Sequence, residues 1–204
     1  MNYKLSIFST HNFQLTIRNY FEQPPQYFVT NGMNKGITSS IISFFTNSTD
    51  TDMKHLKVGD AAPDFAALNE KDEMVSLSDF KGKKLALFFY PADNTPGCTA
   101  EACNLRDYYA DLKANGIELL GVSPDSVKKH QNFIKKYAFP FSLVADTDLK
   151  MLNDYGVWGL KKFMGREFDG VHRTTFLIDE NGKIQHIIDK VETGNHAAQL
   201  LELV

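Results

Sequence analysis

The stretch Leu85-Ala86-Leu87-Phe88-Phe89-Tyr90-Pro91-Ala92-Asp93-Asn94-Thr95-Pro96-Gly97-Cys98-Thr99-Ala100-Glu101-Ala102-Cys103 decides how this chain folds. Its first six residues are apolar or aromatic without a break, bounded by lysines on one side and Pro91 on the other. Such a run, without polar alternation, reads as a strand covered on both faces, as in a sheet flanked by helices. Pro91 and Pro96 stiffen the loop that follows, and Gly97 lets its backbone approach whatever sits above it. A helix is expected over residues 98–113, with Leu105, Tyr108, Tyr109 and Leu112 on one face and Asn115-Gly116 as its stop. A buried strand handing over to a helix is where open α/β sheets place their ligand sites.

The same alternation continues on both sides of this stretch. Residues 117–122 read as a second buried strand. Ser123-Pro124-Asp125 then opens a helix through Tyr137, with Ser123 or Asp125 as cap. Residues 141–144 read as a strand and 149–155 as a short helix. Strands at 174–178 and 184–188 are joined by Asp179-Glu180-Asn181-Gly182, whose Asn-Gly pair favours a tight hairpin. Asn195 is placed to cap a last helix over residues 197–203. Upstream, Gly59-Asp60-Ala61-Ala62-Pro63-Asp64-Phe65 is a turn-rich lead into a short strand, followed by a strand at 75–77 and a turn at 79–83. Trp158, Phe163, Met164 and Phe168 lie in the charged, Gly-rich segment 156–170, which reads as a loop whose aromatics cover the functional edge or pack under it, ahead of a partner patch. The whole describes an α/β domain with a mixed sheet.

The chain has 204 residues, 43% of them hydrophobic, which is enough for one sizeable core. The formal charge is −3 with no dense Lys/Arg block, so the electrostatic footprint of a nucleic-acid binder is missing. No stretch approaches the roughly 18 apolar residues of a membrane-spanning helix. Residues 1–52 differ from the rest: up to Ser48 they hold one acidic residue, Glu22, and Asn47-Ser48-Thr49-Asp50-Thr51-Asp52 looks like a linker. They read as an extension or linker, with four readings open: a disordered segment, an ordered accessory segment, a targeting peptide, or sequence upstream of a true start at Met53. Residues 53–204 form the expected domain.

The two cysteines stand five residues apart, a local pair rather than a framework that staples distant segments. Cys98 falls in the first turn of the expected helix, where unpaired backbone N–H groups and the helix dipole favour a thiolate, the nucleophilic form. On an intact helix the two Cα atoms would lie about 8–9 Å apart, beyond the roughly 7 Å limit of an unstrained disulfide. If the two sulfurs react, the helix between them must unwind. The spacing does not resemble close zinc pairs, and His130, His172, His186 and His196 form no local ligand motif. An exchanger of the thioredoxin kind would show Cys-x-x-Cys, which Cys98-Thr99-Ala100-Glu101 lacks. A redox sensor could use the same pair, and differs from a peroxidase in turning over few equivalents of peroxide.

Phe88-Phe89-Tyr90-Pro91, Thr95-Pro96-Gly97-Cys98-Thr99, Glu101, Cys103 and Leu105-Arg106-Asp107 together resemble the peroxiredoxins of the bacterioferritin comigratory protein, or Q-type, subfamily. The likeness runs from Leu56 to the C-terminus and includes Gly170-Val171-His172-Arg173-Thr174-Thr175-Phe176-Leu177-Ile178-Asp179. It implies a thioredoxin-like fold with a peroxiredoxin-type N-terminal extension, and thiol peroxidase activity on hydrogen peroxide and organic hydroperoxides. By the same resemblance Cys98 is the peroxidatic cysteine, Cys103 resolves it as an intramolecular disulfide, Thr95 hydrogen-bonds the peroxide, Pro91 shields the sulfur and Arg173 is the active-site arginine. Glu101 either bonds into the arginine cluster or favours the first helical turn. The resemblance further implies thioredoxin, or in some members glutaredoxin, as electron donor, no metal, haem or flavin, a monomer or weak homodimer, and a reducing cytoplasm as the setting.

Overall fold

The computed structural model describes residues 56–163 and 165–204, all within the unit Asp50–Val204. The expectations for residues 1–52 lie outside the described residues. In chain order, β1 (Ala66–Leu68) and β2 (Met74–Ser76) pair antiparallel, and a 3-10 turn over Leu77–Phe80 leads to β3 (Lys84–Phe89). Then follow α1 (Pro96–Asp107), α2 (Tyr109–Ala114), β4 (Ile117–Ser123), α3 (Val127–Tyr137), β5 (Ser142–Ala145) and α4 (Lys150–Asp154). β6 (Trp158–Phe163), β7 (Arg166–Val171), β8 (Thr174–Ile178), β9 (Ile184–Ile188) and α5 (His196–Leu201) complete the domain.

The central sheet has the order β5-β4-β3-β8-β9, so the decisive strand β3 lies in the middle. It runs parallel to β4 and antiparallel to β8, which makes the sheet mixed, as the thioredoxin-like expectation requires. The unbroken apolar run in β3 now has its reason. Leu85, Leu87 and Phe89 face one layer of core with Val122, Met151, Leu152 and Phe176. Ala86, Phe88 and Tyr90 face the other, with Cys98, Leu105, Leu112, Phe133, Ala197 and Leu200. Successive side chains of a strand alternate between faces, so only a strand covered on both sides needs apolar residues throughout. Each fully buried Leu or Phe contributes about 1.5–3 kcal/mol of transfer free energy. Gly121 pairs with Phe88 in register, and a Cβ there would stand 2.6 Å from the Phe88 ring and 2.6 Å from Leu143. The large ring therefore crosses β4 only because residue 121 has no side chain.

Four local expectations are corrected. The helix expected over residues 98–113 is two helices, broken at Tyr108 (φ −103°, ψ 15°). The break turns Tyr108 to solvent, whereas Leu112 is fully buried and Tyr109 packs near Phe141. One tyrosine of the pair is thus released from the face that a straight helix would have buried. The helix expected from residue 123 begins at Val127 with Ser126 at its N-cap position, because the Asp125 carboxylate is engaged elsewhere, by the Asp93 N–H and the Lys129 ammonium.

Segment 156–170 is largely a β-hairpin rather than a loop. Gly165 takes φ +78° at the turn, Lys162 and Glu167 pair across the strands at 2.7 Å, and Gly170 leaves room for Lys161 and Phe168. Trp158 packs against the core, but Phe168 is exposed. Finally, Asn195 stands at the N-cap position of α5 but makes no side-chain capping bond. The cap comes instead from Asn104 of α1, whose Oδ1 accepts the Ala197 N–H at 2.8 Å.

Candidate active site

α1 begins at Pro96 with Thr95 at its N-cap position. The first helical hydrogen bond runs from the Thr99 N–H to the Thr95 carbonyl at 2.9 Å, so the amides of Gly97 and Cys98 precede the ladder and have no intrahelical acceptor. Cys98 sits in this first turn and is almost wholly buried, at 2% exposure, among Tyr90, Ala102 and Leu105. Both cysteines are free thiols on one intact helix, with Cys103 half-buried at the edge of the same core layer.

Arg173, just ahead of β8, reaches across to the cysteine. Its Nη2 lies 3.1 Å from the Cys98 sulfur, and its Nη1 is ion-paired to Glu101 Oε2. A Cβ on Gly97 would stand 3.7 Å from Nη2, so the guanidinium passes close over this residue. The same fork thus binds a sulfur and a carboxylate, which fixes its plane as well as its charge. Of the two readings for Glu101, the arginine cluster is the one observed. The residue lies beyond the first turn and is 1% exposed.

Behind Glu101 the chain of polar groups continues. Glu101 Oε1 is 3.2 Å from His196 Nδ1, and His196 Nε2 is 3.0 Å from Thr175 Oγ1. The first contact is close but poorly aligned, so neither Glu101 Oε1 nor His196 Nδ1 has a well-formed hydrogen bond. Burial, and then the Arg173 charge, push His196 down to about 3. The ring is therefore neutral near pH 7.

A second buried network carries the loop from Pro91 to Thr95. The Tyr90 hydroxyl donates to Asp93 Oδ1 at 2.8 Å, and Asp93 Oδ2 lies 2.9 Å from His130 Nδ1. His130 Nε2 faces the Val144 carbonyl at 3.1 Å, and the Asp93 N–H donates to Asp125 at 2.7 Å. Burial, and next the Asp93 charge, push the Tyr90 phenol well above its ordinary value, so it stays a donor. Thr95 Oγ1 donates to the Ala92 carbonyl at 3.0 Å, closing the loop over itself. Pro91 follows the buried Tyr90 directly and is half-buried.

The structure therefore brings Cys98, Arg173 and Glu101 together, sets Thr95 at the N-cap of the same helix, and leaves Cys103 one and a half turns along. Residue-by-residue reading missed Asn104, His196, Asp93, His130 and Asp125. Their partners are distant in sequence, and only the Tyr90-x-x-Asp93 spacing offered a local hint. A cavity of 770 Å³ is lined by residues such as Phe65, Met74, Val127 and Met151 and by none of the cysteine segment. The cluster of Cys98, Arg173 and Glu101, not cavity volume, marks the candidate site. Among the described residues no three His, Cys, Asp or Glu side chains are placed to hold a metal, and no helix is long and apolar enough to cross a membrane.

A family model described as the AhpC/TSA family matches residues 58–187. Peroxiredoxin Bcp of Escherichia coli strain K12 is 45% identical over 144 residues, covering 71% of this chain and 92% of that protein. A cysteine-to-serine mutant of Xylella fastidiosa PrxQ superposes with a TM-score of 0.68 at 31% identity, covering 72% of this chain and 94% of that one. Bacterioferritin comigratory protein of Xanthomonas campestris, solved in trapped-intermediate and ligand complexes bearing on its alkyl peroxide reduction, gives 0.64 at 33% identity, covering 68% and 88%.

Proposed function

The chain belongs to the AhpC/TSA family, in its Bcp or Q-type peroxiredoxin branch, and is a thiol peroxidase coupled to thioredoxin; from that premise we propose that Cys98 is the sulfur that attacks the hydroperoxide and Cys103 the one that resolves it. The observation that carries this reading is the 3.1 Å approach of Arg173 Nη2 to the Cys98 sulfur. A guanidinium at that distance hydrogen-bonds the sulfur, and of the groups in the cluster the sulfur is the one suited to attack a peroxide oxygen.

The first step follows from these positions. The Cys98 thiolate attacks one peroxide oxygen, the S–O bond forms, the O–O bond breaks, and the departing oxygen takes a proton to leave as water or an alcohol. Charge moves from the sulfur to that oxygen. Arg173 and the free amides at the start of α1 are preorganised donors for it. The Thr95 hydrogen is committed to Ala92, so its lone pairs are the part that meets an incoming peroxide proton. Pro91 shields the sulfur from bulk water. Cys103 then condenses with the sulfenic acid, and thioredoxin restores both thiols by thiol–disulfide exchange. Glutaredoxin is the alternative donor.

We assign this activity to residues 53–204, with 1–52 as an extension. A reducing cytoplasm suits such a cycle, and a monomer or weak homodimer suffices, since both sulfurs come from one chain. The test is NADPH consumption by the full chain with thioredoxin, thioredoxin reductase and either hydrogen peroxide or cumene hydroperoxide, with the Cys98→Ser variant beside it. Sustained consumption that the variant lacks supports the assignment. Near-normal consumption by the variant removes Cys98 from its role, and one equivalent of peroxide followed by arrest indicates a sensor.

A further inference from the structure

Both cysteines lie on α1, and an intact helix holds their Cα atoms about 8–9 Å apart, too far for a disulfide. The turn between them must open before oxidised Cys98 can meet Cys103. What holds that turn closed is therefore part of the reaction, and the holding groups sit at the start of α5. Asn104, next to Cys103, grips α5 with both ends of its amide: Nδ2 donates to the Gly194 carbonyl at 3.0 Å and Oδ1 accepts the Ala197 N–H at 2.8 Å. The second bond satisfies an amide that Asn195 leaves uncapped. Glu101, between the cysteines, is buried against Arg173 and lies 3.2 Å from His196. His196 is fully buried and fixed by Thr175 and by the edge of the Phe88 ring.

We propose that the first turn of α5 is a latch on the resolving step: through Asn104, backed by the His196 contact to Glu101, it holds α1 folded and sets how long oxidised Cys98 waits for Cys103. This rests on the roles proposed for the two cysteines. Opening α1 breaks the Asn104 bonds and withdraws a buried carboxylate from Arg173 and His196. A peroxide reaction at Cys98 requires neither.

The waiting time has a chemical consequence. In resolution the Cys103 thiol attacks the Cys98 sulfenic sulfur; the S–S bond forms, the S–O bond breaks, and the oxygen leaves as water with the Cys103 proton. In competition, a second hydroperoxide transfers one oxygen to the same sulfur, giving sulfinic acid and releasing water or an alcohol. A tighter latch favours the second outcome at high peroxide, a looser one the first.

The full chain carrying Asn104→Ala, which removes both bonds, is compared with Asn104→Asp, which keeps the acceptor for Ala197 and loses the donor to Gly194. Mass spectrometry of quenched single turnovers follows sulfenic acid, disulfide and sulfinic acid. We expect unchanged first oxidation, disulfide formation about ten-fold faster in Asn104→Ala, as loss of two hydrogen bonds allows, and a proportionally higher peroxide concentration for half-maximal sulfinic acid. Asn104→Asp should fall between, and it stands as the test if the alanine variant does not fold. Unchanged or slower disulfide formation in a folded variant overturns the latch. Cys103→Ser in the same series separates the two ideas: thioredoxin-coupled turnover that survives this change removes the resolving cysteine itself, whereas its loss alongside a silent Asn104 change overturns the latch alone.

Discussion

Arg173 and Cys98 are 75 residues apart in sequence, yet guanidinium and sulfur stand 3.1 Å apart, with the other arm of the guanidinium tied to Glu101. The arginine comes from the position just ahead of β8, and the other two residues from the helix that follows β3. The setting of the Cys98 sulfur therefore depends on how α1 docks, and not on the cysteine motif alone.

Arg173→Gln should slow the first oxidation of Cys98 by about 100-fold or more, the usual effect of removing a preorganised donor at a developing charge. Stopped-flow competition with a peroxidase of known rate measures it. A fall of less than about three-fold would mean that the guanidinium is a spectator.

Cys103→Ser should leave that first oxidation intact and abolish turnover with thioredoxin. Cys98 would then accumulate as sulfenic and finally sulfinic acid, visible as added oxygen mass on the peptide containing it. Normal thioredoxin-coupled NADPH consumption by this variant would remove Cys103 from the cycle.

His196 links stability to pH. In the fold, burial first and the Arg173 charge second push it down to about 3, whereas an unfolded histidine titrates near 6.5. Between those values the unfolded chain binds a proton that the folded chain refuses. The stability present above pH 6.5 is thus lost progressively as pH falls toward 3, by on the order of 1 kcal/mol per unit from this residue. Urea melts at pH 7, 5.5 and 4 should show a shallower decline for His196→Gln than for the unaltered chain. Parallel slopes would rule out this residue as the source.

Gly121→Ala should cost about 1–3 kcal/mol, because its Cβ would sit 2.6 Å from both Phe88 and Leu143. Thermal unfolding detects this as a lower Tm. No change in Tm would mean that the Phe88 ring has room to move aside.

Much of the fold was legible because its signals are local. The unbroken run 85–90 announced a strand covered on both faces, and the Asn-Gly pair at 181–182 announced the hairpin between β8 and β9. The hairpin at 158–171 was missed for the opposite reason. Its residues carry charges and glycines that resemble a loop, and it is held by cross-strand pairs such as Lys162 with Glu167. The break at Tyr108 was equally silent, since nothing in Tyr108-Tyr109 says which ring will find Phe141.

For the site, the sequence alone determined that a cysteine stands at a helix start, and that a second cysteine five residues on cannot reach it without unwinding. Those follow from covalent spacing and the fixed geometry of a helix. Only the tertiary structure decided that Glu101 is buried against Arg173, that Asn104 caps a helix more than ninety residues later, and that Asp93 anchors its loop through His130. Such partnerships come from packing between elements distant in sequence. There, each polar group must find whichever donor or acceptor the fold presents, because burying it unpaired would cost more than the bond returns.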